Sequence, residues 1–286
     1  MKFFILIYFC INFCMAHDLS IFESYPQNDQ FTLSDGRVID IPIHDHNCQS
    51  LLLVGHSPLG VVRSKLPIGL YPVLKNSERA RVYLTYLHCK NTSNVPVDEF
   101  FIHLVANPIR EAKNLKERWI DNVSFLAQKL PILKTIYRSH LIPLGGFTYI
   151  MKVKTPQVIF PGSEIWGLPA EMSPIDFSYT PNSLDVCISE NDREALKISL
   201  NFSRGRLAGG RNYSRPTFYR FYMPDGESFR EAKTVVQGKG KIYLLRKRSV
   251  SIKYDISTSL GKELADLDFK LENFEWDPDF NNVFGI

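Results

Sequence analysis

The chain is poor in cysteine, in charge of one sign and in long apolar runs. Five cysteines in 286 residues are too few for a fold held together by disulfides. The net charge is only +4, from 34 basic and 30 acidic residues, which excludes a nucleic-acid binder driven by overall charge. No Cys-x-x-Cys pair points to structural zinc. A P-loop, a dinucleotide fingerprint and a Gly-x-Ser-x-Gly elbow are all missing. Neither a metal nor a cofactor is therefore expected. The sequence is 44% hydrophobic and 13% aromatic, enough to bury a sizeable core in one large domain or two small ones.

Met1–Ala16 (MKFFILIYFCINFCMA) has one lysine, then an apolar run from Phe3 to Ile11, and closes on Cys14-Met15-Ala16. Small residues at those last positions fit signal-peptidase cleavage, with a mature chain from His17. The run is shorter than the roughly 20 residues of a membrane span, and no later stretch reaches that length. Four Asn-x-Ser/Thr sequons, at Asn91, Asn122, Asn201 and Asn212, agree with a secreted, extracellular glycoprotein. Without the leader, Cys48, Cys89 and Cys187 remain, so at most one internal disulfide can form. Cys48 with Cys89 is the favoured pair because both lie in the N-terminal half, although spacing alone does not settle connectivity.

The mature chain is dominated by short segments rich in β-branched and aromatic residues. Arg81–Leu87, Glu99–Val105, Phe147–Val153, Ala195–Phe202, Thr217–Met223 and Lys241–Tyr254 all read as strands, and Pro224-Asp225-Gly226 marks a turn. So many short strands imply a mainly β (α+β) protein, closed or sandwiched and largely antiparallel. Asn107–His140 differs, with Leu115, Trp119, Ile120, Val123 and Leu126 at helical spacing. This segment reads as helices packed across one end of the barrel, with Pro131 breaking the second. His44-Asp45-His46 could ligate a metal, but a polar surface loop is the better reading. Gly205–Arg211 reads as a hairpin loop. Arg246-Lys247-Arg248 reads as a solvated edge, with partners in the acidic stretch Asp266 to Asp279.

Gly162-Ser163-Glu164-Ile165-Trp166-Gly167-Leu168-Pro169 resembles the motif of the acetoacetate decarboxylase family. Other blocks follow in the family's order: Val62–Pro72, Pro96–Ala106, Leu196–Arg206 and Arg215–Gly226. The resemblance runs from His44 to Phe280, with 107–146 as a helical insertion. It implies a single domain over 17–286, an acetoacetate decarboxylase-like β-barrel with an apolar cavity. In those enzymes a lysine, made neutral by desolvation and a neighbouring cation, attacks a ketone to form a Schiff base. The Lys-Lys pair of the enzymes follows the motif directly, but here Ala170 and Glu171 stand in those places. The family's arginine falls on Cys48, and its first glutamate falls near Leu84. Only the second glutamate has a counterpart, Glu99.

Three functional readings follow. A catalytically altered or inactive homologue could bind a small hydrophobic or keto-acid-like ligand, with Glu164, Trp166, Leu168, Pro169, Ala170 and Glu171 around the pocket. Alternatively, a decarboxylase or other lyase could use a relocated lysine (Lys152, Lys154 or Lys197), or Glu99 or Glu171 as a catalytic acid or base with a raised pKa. The third reading is a non-catalytic secreted interaction protein. The first is preferred because alanine cannot form an imine. A homo-oligomer is compatible with all three, and neither a nucleic-acid partner nor a transmembrane span is expected.

Overall fold

A computed structural model describes residues 20–92, 96–108, 145–202, 217–238, 243–245 and 249–285. After a short helix α1 (Ser20–Ser24) come a hairpin, β1 (Asp29–Thr32) and β2 (Val38–Ile41), and the long strand β3 (Ile43–Pro58). Helix α2 (Leu59–Lys65) and β4 (Leu70–Pro72) lead to β5 (Arg79–Thr92) and β6 (Val97–Pro108). Beyond β7 (Gly145–Val153), helix α3 (Pro156–Phe160) and one π-helical turn (Pro161–Ile165) cross over to β8 (Ala170–Met172). The remaining elements are β9 (Ile175–Thr180), β10 (Ser183–Glu190), β11 (Arg193–Asn201), β12 (Thr217–Asp225), β13 (Ser228–Gly238), β14 (Tyr243–Leu245), β15 (Val250–Tyr254), α4 (Ser259–Asp266) and β16 (Lys270–Phe284).

Strand pairing closes a ring. The order β6-β5-β3-β16-β13-β12-β7 returns to β6 through the additional β6–β7 pairing, and closure removes exposed edges. β4, β8 and β14 attach to this ring. A separate sheet, ordered β15-β11-β10-β9, packs on its outside. This is the mainly β architecture that the strand-rich segments imply.

Alternation explains how each strand serves two environments. In β6, Phe100, Ile102 and Leu104 point outward into the core shared with the four-stranded sheet, and each has no exposed surface. Glu99, Phe101 and His103 point the other way, into the ring. Partners directly opposite each other share a face, so one outward rung runs Trp276–Leu51–Tyr86–Phe100–Lys152–Glu171.

Two sequence readings need correction, and one strand went unread. Lys241–Tyr254 is two strands in two different sheets, since β14 pairs with β16 and β15 with β11. The acidic C-terminal stretch is largely β16, at the centre of the ring. Its acids alternate with Phe274, Trp276 and Phe280, which are buried, so composition masked a strand period. His44-Asp45-His46 is not a loop but the start of β3. His44 and His46 stack outward on Phe22 of α1, with ring centroids 4.5 and 4.1 Å away, while Asp45 is buried inside. Asn47, at φ 53°, re-aims the strand so that Cys48 also faces inward. The leader, the sequons at Asn122 and Asn212, Gly205–Arg211, Arg246–Arg248 and nearly all of the 107–146 insertion lie outside the described residues.

Candidate functional site

The inside of the ring can be read rung by rung from the register. One rung is Asp277–Ser50–Leu87–Glu99–Val153. The next is Glu275–Leu52–Thr85–Phe101–Met151–Ala170. A third is Asn273–Val54–Tyr83–His103–Thr148. Ser50, Leu52, Tyr83, Thr85, Leu87, Glu99 and Phe101 each keep part of their surface accessible. Side chains inside a closed ring do so only where the interior is not filled. A lumen therefore remains beside Glu99 and Phe101.

The crossover after β7 lies across the end of this lumen near Val153. Met151, Val153, Trp166, Leu168, Met223 and Ala232 form an apolar cluster with Phe101, Phe221, Phe284 and Ala170 packed against it. Val158 of α3 bridges from there to a second cluster of Cys48, Cys89, Val97 and Phe280. Cys48 and Cys89 form a disulfide across β3 and β5. Gly167 permits the tight entry into β8. It sits at φ 70°, and a Cβ there would lie 2.9 Å from the Pro224 carbonyl oxygen.

Aromatic rings line an arc of the lumen. Phe101 stacks on His103 at 5.1 Å, His103 lies 5.4 Å from Phe221, and Phe221 lies 6.0 Å from Phe284. Trp166 meets Phe284 edge-on at 4.8 Å. Burial pushes the pKa of His103 down to about 3, so this ring is neutral at ordinary pH. Thr148 Oγ1 lies 3.3 Å from its Nδ1.

The inward acids are held protonated to different degrees. Burial first, then the charges of Asp45 and Asp98, push Glu99 up to about 8. Burial raises Asp45 to about 6 against a hydrogen bond from Asn282 Nδ2 at 2.9 Å. Burial also raises Asp277 to about 7, opposed by the Asp279 amide and helped by the Asp279 and Glu275 charges. Glu99 accepts no hydrogen bond and makes no ion pair among the described residues. The residue keeps part of its surface accessible.

The pocket residues expected from the sequence separate into two groups. Trp166, Leu168 and Ala170 belong to the lumen wall or its plug, and Pro169 is a half-buried link between them. Glu164 and Glu171 do not join them. The Glu164 carboxylate accepts hydrogen bonds from the Ser34 amide and hydroxyl, tying the crossover to the β1–β2 turn. Glu171 follows Ala170, so alternation turns it outward, and its side chain is 69% exposed.

The three lysines named from the sequence lie outside the lumen. Lys152 alternates to the outward face and is clamped by Glu171 at 2.6 Å and Glu190 at 2.7 Å. Burial alone would lower its pKa, but the two carboxylates outweigh that and raise it, so it is a cation rather than a nucleophilic amine. Lys154 lies past the strand end and is exposed, and Lys197 belongs to the four-stranded sheet. Leu84 is likewise outward, so Thr85 is the inward residue at that level of β5. Asp45, Asp277, His103 and the aromatic arc were missed as lumen groups. Strict alternation through Glu99-Phe100-Phe101-Ile102-His103 was the available signal for His103.

No protein-family model matches the chain, and no curated protein sequence matches it. Solved structures do. An acetoacetate decarboxylase from Legionella pneumophila superposes with TM-score 0.57 at 12% identity, covering 89% of this chain and 90% of that one. The enduracididine biosynthesis enzyme MppR, complexed with pyruvate, gives 0.53 at 11% identity, covering 88% and 90%. An acetoacetate decarboxylase-like enzyme from Sphingomonas wittichii gives 0.50 at 11%, covering 89% and 96%. The chain thus has the acetoacetate decarboxylase-like fold.

Proposed function

We propose that this chain, which shares the acetoacetate decarboxylase-like fold, is a homologue without Schiff-base chemistry that binds a small ligand non-covalently in its barrel lumen. One observation carries this reading. Ala170, where the enzymes' lysine falls by the sequence motif, faces the lumen on the same rung as Met151 and Phe101. Every described lysine is exposed, ion-paired or part of the four-stranded sheet. The part-accessible inward side chains support a binding space, and its aromatic arc suits an apolar ligand body.

Secretion belongs to the same proposal. The leader-like Met1–Ala16, the four sequons and the Cys48–Cys89 disulfide all suit an oxidising, extracellular compartment. No described helix is long and apolar enough to cross a membrane.

The test is reductive trapping. The mature protein incubated with acetoacetate and cyanoborohydride is expected to keep its unmodified intact mass. A stoichiometric adduct on one lysine, absent after denaturation, would overturn the reading. Native mass spectrometry of protein isolated without denaturation then identifies what the lumen carries.

A further inference from the structure

We propose that the lumen selects a small organic cation with an apolar body, an alkyl or quaternary ammonium, with Glu99 as its counter-ion and the aromatic arc as its cage. This rests on non-covalent binding in the lumen and names its ligand class.

Charge and aromatic geometry converge on this class. Glu99 faces into the ring with part of its surface accessible, has no hydrogen-bonding or ion-pairing partner among the described residues, and shares an inward face with Phe101. An inward carboxylate without a counter-charge is costly to ionise, and a bound cation would supply the missing charge. Ring faces attract cations, most strongly where water is excluded. Phe101, Phe221, Phe284 and Trp166 provide such rings within one connected arc. His103 is in that arc, but burial keeps it neutral, so it offers no competing positive charge. Arg81 lies at the far end, three rungs from Glu99, and faces Glu272 at 3.8 Å.

Groups around Glu99 set the pH response. β5 and β7 present Leu87 and Val153 on its rung, and the crossover adds Val158, all uncharged. Asp45 of β3 and Asp98 of β6 both raise Glu99, and Asp277 of β16 shares its rung. A cation binds to the ionised carboxylate, so binding releases a proton while Glu99 is protonated. Affinity for a permanent cation therefore rises from pH 6 toward pH 8 and then levels.

The experiment measures choline, its neutral isostere 3,3-dimethylbutan-1-ol and acetoacetate by calorimetry on the mature protein at pH 6 and pH 8. Choline is expected to bind at least about tenfold more tightly than the isostere at pH 8, and more tightly there than at pH 6. Glu99→Gln is expected to abolish that preference while thermal melting shows a folded protein. Phe101→Leu is expected to reduce it with Glu99 intact. The proposal falls if choline does not bind, if the isostere or acetoacetate binds as well, or if folded Glu99→Gln keeps the preference. Isostere binding in the absence of choline binding would leave the lumen-binding reading standing, whereas an imine adduct in the trapping test would remove that reading separately.

Discussion

Phe100 and Phe101 are neighbours on one strand and live in different worlds. Phe100 lies in a rung with Trp276, Leu51 and Tyr86, each at most 1% exposed, facing the four-stranded sheet. Phe101 lies in a rung with Leu52, Thr85 and Glu275, all of which keep some accessible surface. The outward face is a close-packed core whose polar member, Lys152, is fully ion-paired. The inward face tolerates raised carboxyls, a neutral histidine and unfilled space. One wall thus separates a close-packed core from a face that admits polar groups, because packing density rewards apolar shape on one side while side chains on the other keep accessible surface.

The largest expected effect comes from deleting rings on either side. Phe100→Ala should cost about 3–5 kcal/mol, the usual range for a buried phenylalanine. Phe101→Ala should cost no more than about half of that, because part of its surface is already exposed. Urea unfolding of the two variants measures the difference, and equal losses would mean that the lumen is packed like the core.

A smaller effect concerns acidity. The raised pKa of Glu99 means that, between about 4.5 and about 8, the folded chain holds a proton that the unfolded chain has released. Stability therefore falls as pH rises through that window. His103, depressed by burial to about 3, acts in the opposite sense between about 3 and 6.5, and Asp45 and Asp277 add to the Glu99 effect up to about 6 and about 7, so the cleanest interval is pH 7 to 8. There Glu99→Gln should remove a slope of up to about 1.4 kcal/mol per pH unit and leave the variant more stable at pH 8. Unfolding midpoints across that interval check it, and an unchanged slope would place Glu99 in water. A variant more stable than the parent yet unable to bind would be a stability–function trade-off.

The smallest effect is at Ser34. Its hydroxyl ties Glu164 to the first hairpin at the surface, so Ser34→Ala should cost less than about 1 kcal/mol and leave ligand binding unchanged. Lost binding would make the crossover's attachment part of the lumen's architecture.

Much of this was legible in the residues themselves. Segments such as Glu99–Val105 and Phe147–Val153 show their strand character through β-branched and aromatic content, and the Gly162–Pro169 motif marked the crossover and the alanine after it. The alternation that turns Glu99 inward also turns Lys152 outward, but only relative to a ring whose closure depends on β6 meeting β7. That contact joins segments separated by the 107–146 insertion, and no local pattern specifies it. Asp45 was hidden for a similar reason. Its flanking histidines look like a polar loop until α1 supplies Phe22 for them to stack on. β16 went unread as a strand because its apolar residues occupy alternate positions and matter only against a second sheet.

Sequence alone determined which side chains exist to do chemistry, including the alanine at position 170 and the carboxyl of Glu99. Tertiary structure decided which of them share the lumen. A strand presents its residues to two faces in strict alternation, and only the closed ring defines which face is inside.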